Sequence, residues 1–383
     1  MSLRSQAIQL SVIKQMEILA AQHIDVVSLA QGIPSFDTPS PIKRRAERAL
    51  EEKLVAKYSL SPGLPELREQ IEISLSQDDI FYDWETEIIV TAGSIEGITA
   101  TLLAITDPGD EVIIPDPTYT SYREAVRLAG CMPVFVPLSE SEGWKINIEK
   151  FAQAITPKTK VIFYCNPNNP TGTIFSKEDL IALAELAEVH NLFLIADEAY
   201  KDFIYDDHSY FSLSQLPKYR YRLIRVFSFS KPYAMTGWRV GYVCAEASVA
   251  REILKVHDSL VTCAPVISQY AALGALEMGE KWVQHFRLEY EKRRSLICSA
   301  LDMLPGISYS KPTSAYFVFP KFIDCHDSFA LATDILKSVK LATVPGVAFG
   351  PTGEGHLRLS FGRTESDITE GMKRLNIYLQ RAI

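Results

Sequence analysis

Apolar residues in this chain gather into short unbroken runs, each followed by a small or polar turn and then by helical spacing. EIIVTAGSIEGITATLLAI predicts a strand through about Thr91, a turn of small residues and a helix. DEVIIPDPTYTSYREAVRLAG repeats the scheme, MPVFVPL follows as a short strand, and TKVIFYCNPNNPTG reads as a strand ending in an Asn/Pro loop. SKEDLIALAELAEVHN predicts an amphipathic helix whose Ser176 and Asp179 resemble a capping box. LFLIADEAY, LIRVFSFSK and RVGYVCA add three more apolar strands. Continuous apolar strands alternating with helices predict an α/β fold with a mostly parallel sheet covered on both faces.

This pattern runs from about residue 46 to 285 and defines a large domain. A long helical stretch with a break is expected over roughly 264–303. The remainder, 286–383, mixes the strands GISYS, AYFVFP and HLRLSF with the helices SFALATDILKSV and SDITEGMKRLNIYLQRA, an α+β pattern assigned to a smaller domain. Residues 1–45 are expected to join that smaller domain.

Composition narrows the functional classes. A chain of 383 residues with 47% hydrophobic and 22% charged content has the makeup of an ordinary globular protein with a large core. Its net charge of −8 argues against a general nucleic-acid surface, though not against one local anion pocket. No apolar stretch approaches a membrane span, and the N-terminal stretch is interruptedly amphipathic without an apolar signal core, so a cytoplasmic location is expected. The six cysteines form no C-x-x-C pair and read as free buried thiols. The seven histidines show no paired metal-ligand spacing, so no metal site is expected.

Candidate chemistry sits at the ends of the predicted strands, where open parallel sheets bind ligands. SFSKPYAMTGWRVG places Lys231 directly after an apolar run and eight residues before Arg239. A lysine meant to form a Schiff base must be held still and partly unprotonated, and a buried strand end near a fixed cation does both. TAGSIEG puts Gly93, Ser94 and Ile95 at a helix start, where backbone N–H groups can hold a phosphate. Other strand-end loops carry Tyr119, Asn169 and Asp197 to Tyr200. Taken singly, each has a plainer reading: a solvated lysine, a tight turn, a rigid Asn/Pro loop, a helix cap. Their joint order is what turns alone do not explain.

In that combination, from LAQGIPSFDTP to HLRLSFG, the chain resembles the class I/II aminotransferases, pyridoxal-phosphate enzymes of the aspartate aminotransferase superfamily (fold type I). The resemblance implies a large domain with a seven-stranded-type sheet and a smaller domain. It makes Lys231 of SFSK the Schiff-base lysine and proton shuttle, and Asp197 of ADEAY the partner of the pyridine nitrogen. Tyr200 and Asn169 would hydrogen-bond the ring oxygen, and Tyr119 would stack on the ring. Gly93, Ser94, Ile95, Ser228 and Arg239 would line the phosphate cup. Tyr58 in KYSLSPG would reach the phosphate from the partner subunit, implying a homodimer with shared active sites; plain aromatic packing is its other reading. Arg358 in HLRLSF would grip the substrate α-carboxylate, with Gly32 and Ile33 of AQGIP beside it. Alternatively, Arg358 makes an ion pair within the small domain, and Gly32 a turn before Pro34.

The reaction so implied moves an amino group from an L-amino acid to a 2-oxo acid in ping-pong fashion. Ile95 stands where some dicarboxylate-specific relatives carry a lysine, and KVHDSLVTCAP lacks the arginine that others bring from the partner. With Ile33 and Tyr316, these departures predict a pocket tolerant of aspartate, aromatic or methionine-like donors. The same fold also supports carbon–sulfur β-lyases and aminocyclopropane-carboxylate synthases, and, more remotely, non-catalytic regulators that bind the cofactor.

Overall fold

The computed structural model describes residues 1, 2, 5, 6, 8 and 10–382. Seven strands form its central sheet: β1 (Ile88–Thr91), β2 (Glu111–Asp116), β3 (Met132–Pro137), β4 (Thr159–Cys165), β5 (Phe193–Asp197), β6 (Leu223–Ser228) and β7 (Gly241–Cys244). Their order across the sheet is β1-β7-β6-β5-β4-β2-β3. All neighbours pair parallel except β7, which runs opposite to both β1 and β6. The expected mostly parallel α/β sheet is therefore present, with one reversed strand that apolar runs alone do not reveal.

Both faces of the sheet are buried, which is why its strands read as unbroken apolar runs. Along β1 the side chains alternate: Ile89 joins one hydrophobic cluster, while Ile88 and Val90 join another on the opposite face. The helix predicted from SKEDLIALAELAEVHN forms over Lys177–Val189, with Ser176 as its cap. Numbered along the chain, the helices used here are α1 (Val12–Ala20), α2 (Ser94–Ile105), α3 (Lys177–Val189), α4 (Ala247–Val261) and α5 (Lys281–Asp302). Ser176 Oγ accepts from the Asp179 N–H at 3.0 Å at the start of α3.

The long helical stretch breaks at 278–280, between the helix Val266–Glu277 and α5. Helix α5 runs without interruption through residues 285 and 286. Beyond it, β8 (Phe317–Val318), β9 (Val344–Pro345) and β10 (Leu357–Ser360) form a small antiparallel sheet with β10 in the centre. The N-terminal strand Val27–Ser28 pairs with Leu341–Ala342, tying the two ends of the chain together. All six cysteines are free, and five of them are buried. No helix among the described residues is long and apolar enough to cross a membrane.

Candidate active site

The register of the sheet brings its chemistry to one edge. Cys165 at the end of β4 lies opposite Asp197 at the end of β5, and Asp197 lies opposite Val226 near the end of β6. Because β7 is reversed, its first residue, Gly241, sits level with the last residues of both β6 and β1, Ser228 and Thr91. Arg239, two residues before β7, is thereby delivered beside the Gly93-Ser94 turn. There is no spare room in this junction. A methyl group on Gly93 would come 2.4 Å from Arg239 Nη2, and one on Gly241 would come 2.9 Å from the Ser94 nitrogen. Gly93 has φ +84° and Arg239 φ +54°, so both hold left-handed backbone, the latter at a conformational cost common at functional sites.

A cavity of about 500 Å³ opens at this edge. Its walls include Gly32, Ile33, Ser94, Ile95, Tyr119, Asn169, Asp197, Tyr200, Ser228, Lys231, Arg239 and Arg358, nearly the whole set expected from the sequence. Gly93 stands directly behind, against the Arg239 guanidinium. Tyr58 is the exception: it is 82% exposed and lies by Cys263 to Val266, away from this cavity in the single chain. A second cavity of about 320 Å³, beside Lys201, Asp202 and Tyr233, shares only Ser228 with the expected set.

Lys231 donates from Nζ to the Gly32 carbonyl at 2.9 Å. Burial, with the nearby charges of Arg358 and Arg239, lowers its pKa from 10.5 to about 8, against an opposing pull from Asp197. Asp197 accepts from Tyr122 Oη at 2.7 Å and from the Ala199 N–H at 3.0 Å. Burial nevertheless raises its pKa to about 6, against the pull of these hydrogen bonds and the charge of Lys231, and among the described residues no cation stands at ion-pair distance from it. The next residue, Glu198, is already taken: it accepts from Arg225 Nε at 2.7 Å.

Arg358 projects from the middle strand of the small sheet and is fully buried. Its Nη2 donates to the Ala30 carbonyl at 2.6 Å and its Nη1 to Asn169 Oδ1 at 3.1 Å, while Nε is buried without a partner among the described residues. The guanidinium lies 4.4 Å from the centre of the Phe317 ring. Among the described residues no carboxylate pairs with it at ion-pair distance, which removes support for the alternative of an ion pair within the small domain; burial pulls its pKa down to about 10. A side chain at Gly32 would press on Phe317 at 3.0 Å and approach Arg358 Nη2 at 3.9 Å.

Residues that sequence reasoning did not single out complete the walls. Tyr122, one helical turn beyond Tyr119, holds Asp197, and the two tyrosine rings meet edge to face at 5.4 Å. Helix α1 contributes Ile13, Lys14 and Glu17, the last two joined by a 2.8 Å ion pair. Its interrupted amphipathic pattern was the available signal for a helix here, but nothing in the pattern specified where it docks. Tyr316, expected from the sequence to shape the donor pocket, does not line the cavity: its hydroxyl is turned to the Gly32 carbonyl, to which it donates at 3.0 Å.

The sequence pattern of the aminotransferases of class I and II matches residues 24–375. This chain belongs to that family. The aminotransferase is 38% identical to the aspartate aminotransferase of Pyrococcus abyssi, over 99% of this chain and 98% of that protein. Its structure is similar to that of the aromatic aminotransferase from Pyrococcus horikoshii, with TM-score 0.90, 37% identity and coverage of 96% and 99%. It is similar also to the aspartate aminotransferase from Thermus thermophilus with maleate, at TM-score 0.93, 34% identity and 99% coverage of each chain. The fold is that of the aspartate aminotransferases, and the chain is a transaminase.

Proposed function

We propose that this aminotransferase uses pyridoxal 5′-phosphate in the cavity at the β5–β6 edge to exchange amino groups between an L-amino acid and a 2-oxo acid. The residues present fit that cofactor. Asp197 is a buried carboxylate with no ion-pair partner among the described residues, as pairing with a protonated ring nitrogen would require. Ser94 and Ile95, in the first turn of α2, carry N–H groups with no intrahelical acceptor, beside the guanidinium of Arg239. When bound, the cofactor supplies a carbonyl that captures amines and a ring that takes up the electrons left at the substrate α carbon.

In this reading Lys231 holds the cofactor and, once displaced by the substrate amine, takes the α proton as general base; its depressed pKa suits that task. Asp197 keeps the ring nitrogen protonated, Tyr200 and Asn169 hold the ring oxygen, and Tyr119 packs on the ring. Gly93, Ser94, Ile95, Ser228 and Arg239 form the phosphate cup, joined by Tyr58 of the partner subunit in a homodimer. Arg358 binds the α-carboxylate through its planar fork, with Gly32 and Ile33 shaping the space beside it. One site serves both substrates in turn, a ping-pong cycle in the cytoplasm. The domain division at residues 45 and 285 belongs to the same proposal, with α5 carrying the connection.

The observation that carries the reading is the placement of Lys231, Asp197 and the unneutralised Arg358 around one cavity. For the donor, Ile33, Ile95 and Phe317 offer apolar wall, while Lys14 and Glu17 offer a paired cation and anion. This mixture supports a site that takes aspartate as well as aromatic or methionine-like donors, in keeping with relatives named for aspartate and for aromatic amino acids. Single-turnover reactions with aspartate, phenylalanine and methionine, without an oxo acid, test this. All three are expected to convert the bound cofactor to its aminated form, with rates within about a hundredfold, corresponding to roughly 3 kcal/mol. Reaction with only one of them would contradict the broad pocket.

A further inference from the structure

Near the Gly93-Ser94 turn, outside the cavity lining, lies a buried histidine that the proposed reaction does not use. Glu96, at the third position of α2, turns back so that Oε2 accepts from the Ala92 N–H at 3.0 Å. From helix α4, His257 meets that carboxylate with Nδ1, 3.1 Å from both of its oxygens. His257 is fully buried, and its other nitrogen, Nε2, has no hydrogen-bond partner among the described residues. Its hydrogen bonding is thus directed at Glu96. The tautomer carrying its proton on Nδ1 donates to the carboxylate and leaves only a bare lone pair at Nε2, a lesser defect than an unpaired N–H.

The consequence falls on the backbone of the turn. Glu96 engages the Ala92 N–H, and the Gly93 N–H donates to the Thr91 carbonyl at 2.8 Å. The next N–H groups, on Ser94 and Ile95, have no intrahelical acceptor and belong to residues that line the cavity. Neither Glu96 nor His257 lines it. A carboxylate in the first turn of a helix is attracted to those same free N–H groups, and an unlatched Glu96 would compete with a phosphate for them.

We infer that His257 is a positioning residue for phosphate binding: acting through Glu96, it fixes the Ala92-Gly93-Ser94 turn and keeps the carboxylate off the phosphate's donors. The inference rests on the reading of Ser94, Ser228 and Arg239 as a phosphate cup. It is tested with full-length protein freed of cofactor, by measuring dissociation constants for pyridoxal 5′-phosphate and for pyridoxal, which lacks the phosphate. Wild type is expected to favour the phosphorylated ligand strongly. His257→Leu is expected to lose about tenfold or more of that preference, with pyridoxal binding unchanged. His257→Asn, whose amide can stand where Nδ1 stands, is expected to recover most of it. His257→Phe fills the buried space differently, and whichever of the two apolar variants unfolds at the wild-type temperature is the one compared. An unchanged preference, or equal weakening of both ligands, would overturn the role of His257. A wild type without any preference for the phosphorylated ligand would instead overturn the phosphate cup itself.

Discussion

Lys231 and Asp197 owe their chemistry to the same circumstance, burial at the ends of adjacent strands, acting with opposite effect on a base and an acid. Lys231 loses part of its affinity for a proton, and Asp197 gains some. The amine attacks a carbonyl only when neutral, so the rate of cofactor capture by the cofactor-free protein should rise with pH and level off above about 8. An unperturbed lysine would place that midpoint near 10.5. Stopped-flow absorbance across this pH range distinguishes the two, and a midpoint near 10 would contradict the buried setting. In stability, the sign runs the same way: the folded state disfavours the charged lysine, so this destabilising contribution is present below about pH 8 and is relieved toward 10.5. At this scale Lys231, Asp197, Asn169 and Arg239 were legible because each stands at the end of an apolar run or in the loop beside one. Tyr122 was not, because its bond to Asp197 spans 75 positions and leaves no local pattern.

Among the elements, reversed β7 matters most for the site. Apolar runs foretell a strand but not its direction, so VGYVC read the same either way. Its reversal puts Gly241 against both the β6 end and the start of α2. A methyl group there would lie 2.5 Å from the Phe227 carbonyl oxygen and 2.9 Å from the Ser94 nitrogen, both backbone atoms that cannot swing aside. Gly241→Ala is therefore expected to destabilise the protein by about 2 kcal/mol and to loosen cofactor retention, as judged by denaturant unfolding and dialysis. Ser176→Ala, which removes only the cap of α3, should cost about 1 kcal/mol and leave turnover unchanged. Equal losses of cofactor in the two variants would contradict a special place for the β7 start. The caps, turns and helix spacing behind these elements are local, which is why they were readable from the chain.

For the whole molecule, the alternation of strands and helices pointed to the α/β architecture, but the closing of the chain did not show in any local pattern. Val27–Ser28 pairs with Leu341–Ala342 across more than three hundred residues, and contacts such as Thr352 N–H to Asp116 Oδ2 at 3.0 Å join the small sheet's surroundings to the end of β2. Tyr58 belongs to this scale as well. Exposed and outside the cavity in one chain, it reaches a phosphate cup only if a second chain presents it. Lys231→Ala and Tyr58→Ala subunits, each impaired alone, should recover activity when unfolded together and refolded as mixed dimers. One site of such a dimer has an intact Lys231 and receives the partner's Tyr58. A mixture no more active than the sum of its parts would contradict the shared site.

The most direct test of the central assignment is to load the protein with pyridoxal 5′-phosphate, reduce it with borohydride and locate the modified peptide by mass spectrometry. The expected result is one cofactor per chain, fixed to Lys231 in SFSKPYAMTGWR, with no labelling in Lys231→Ala. Labelling of another lysine, or none, would contradict the placement of the chemistry at the end of β6.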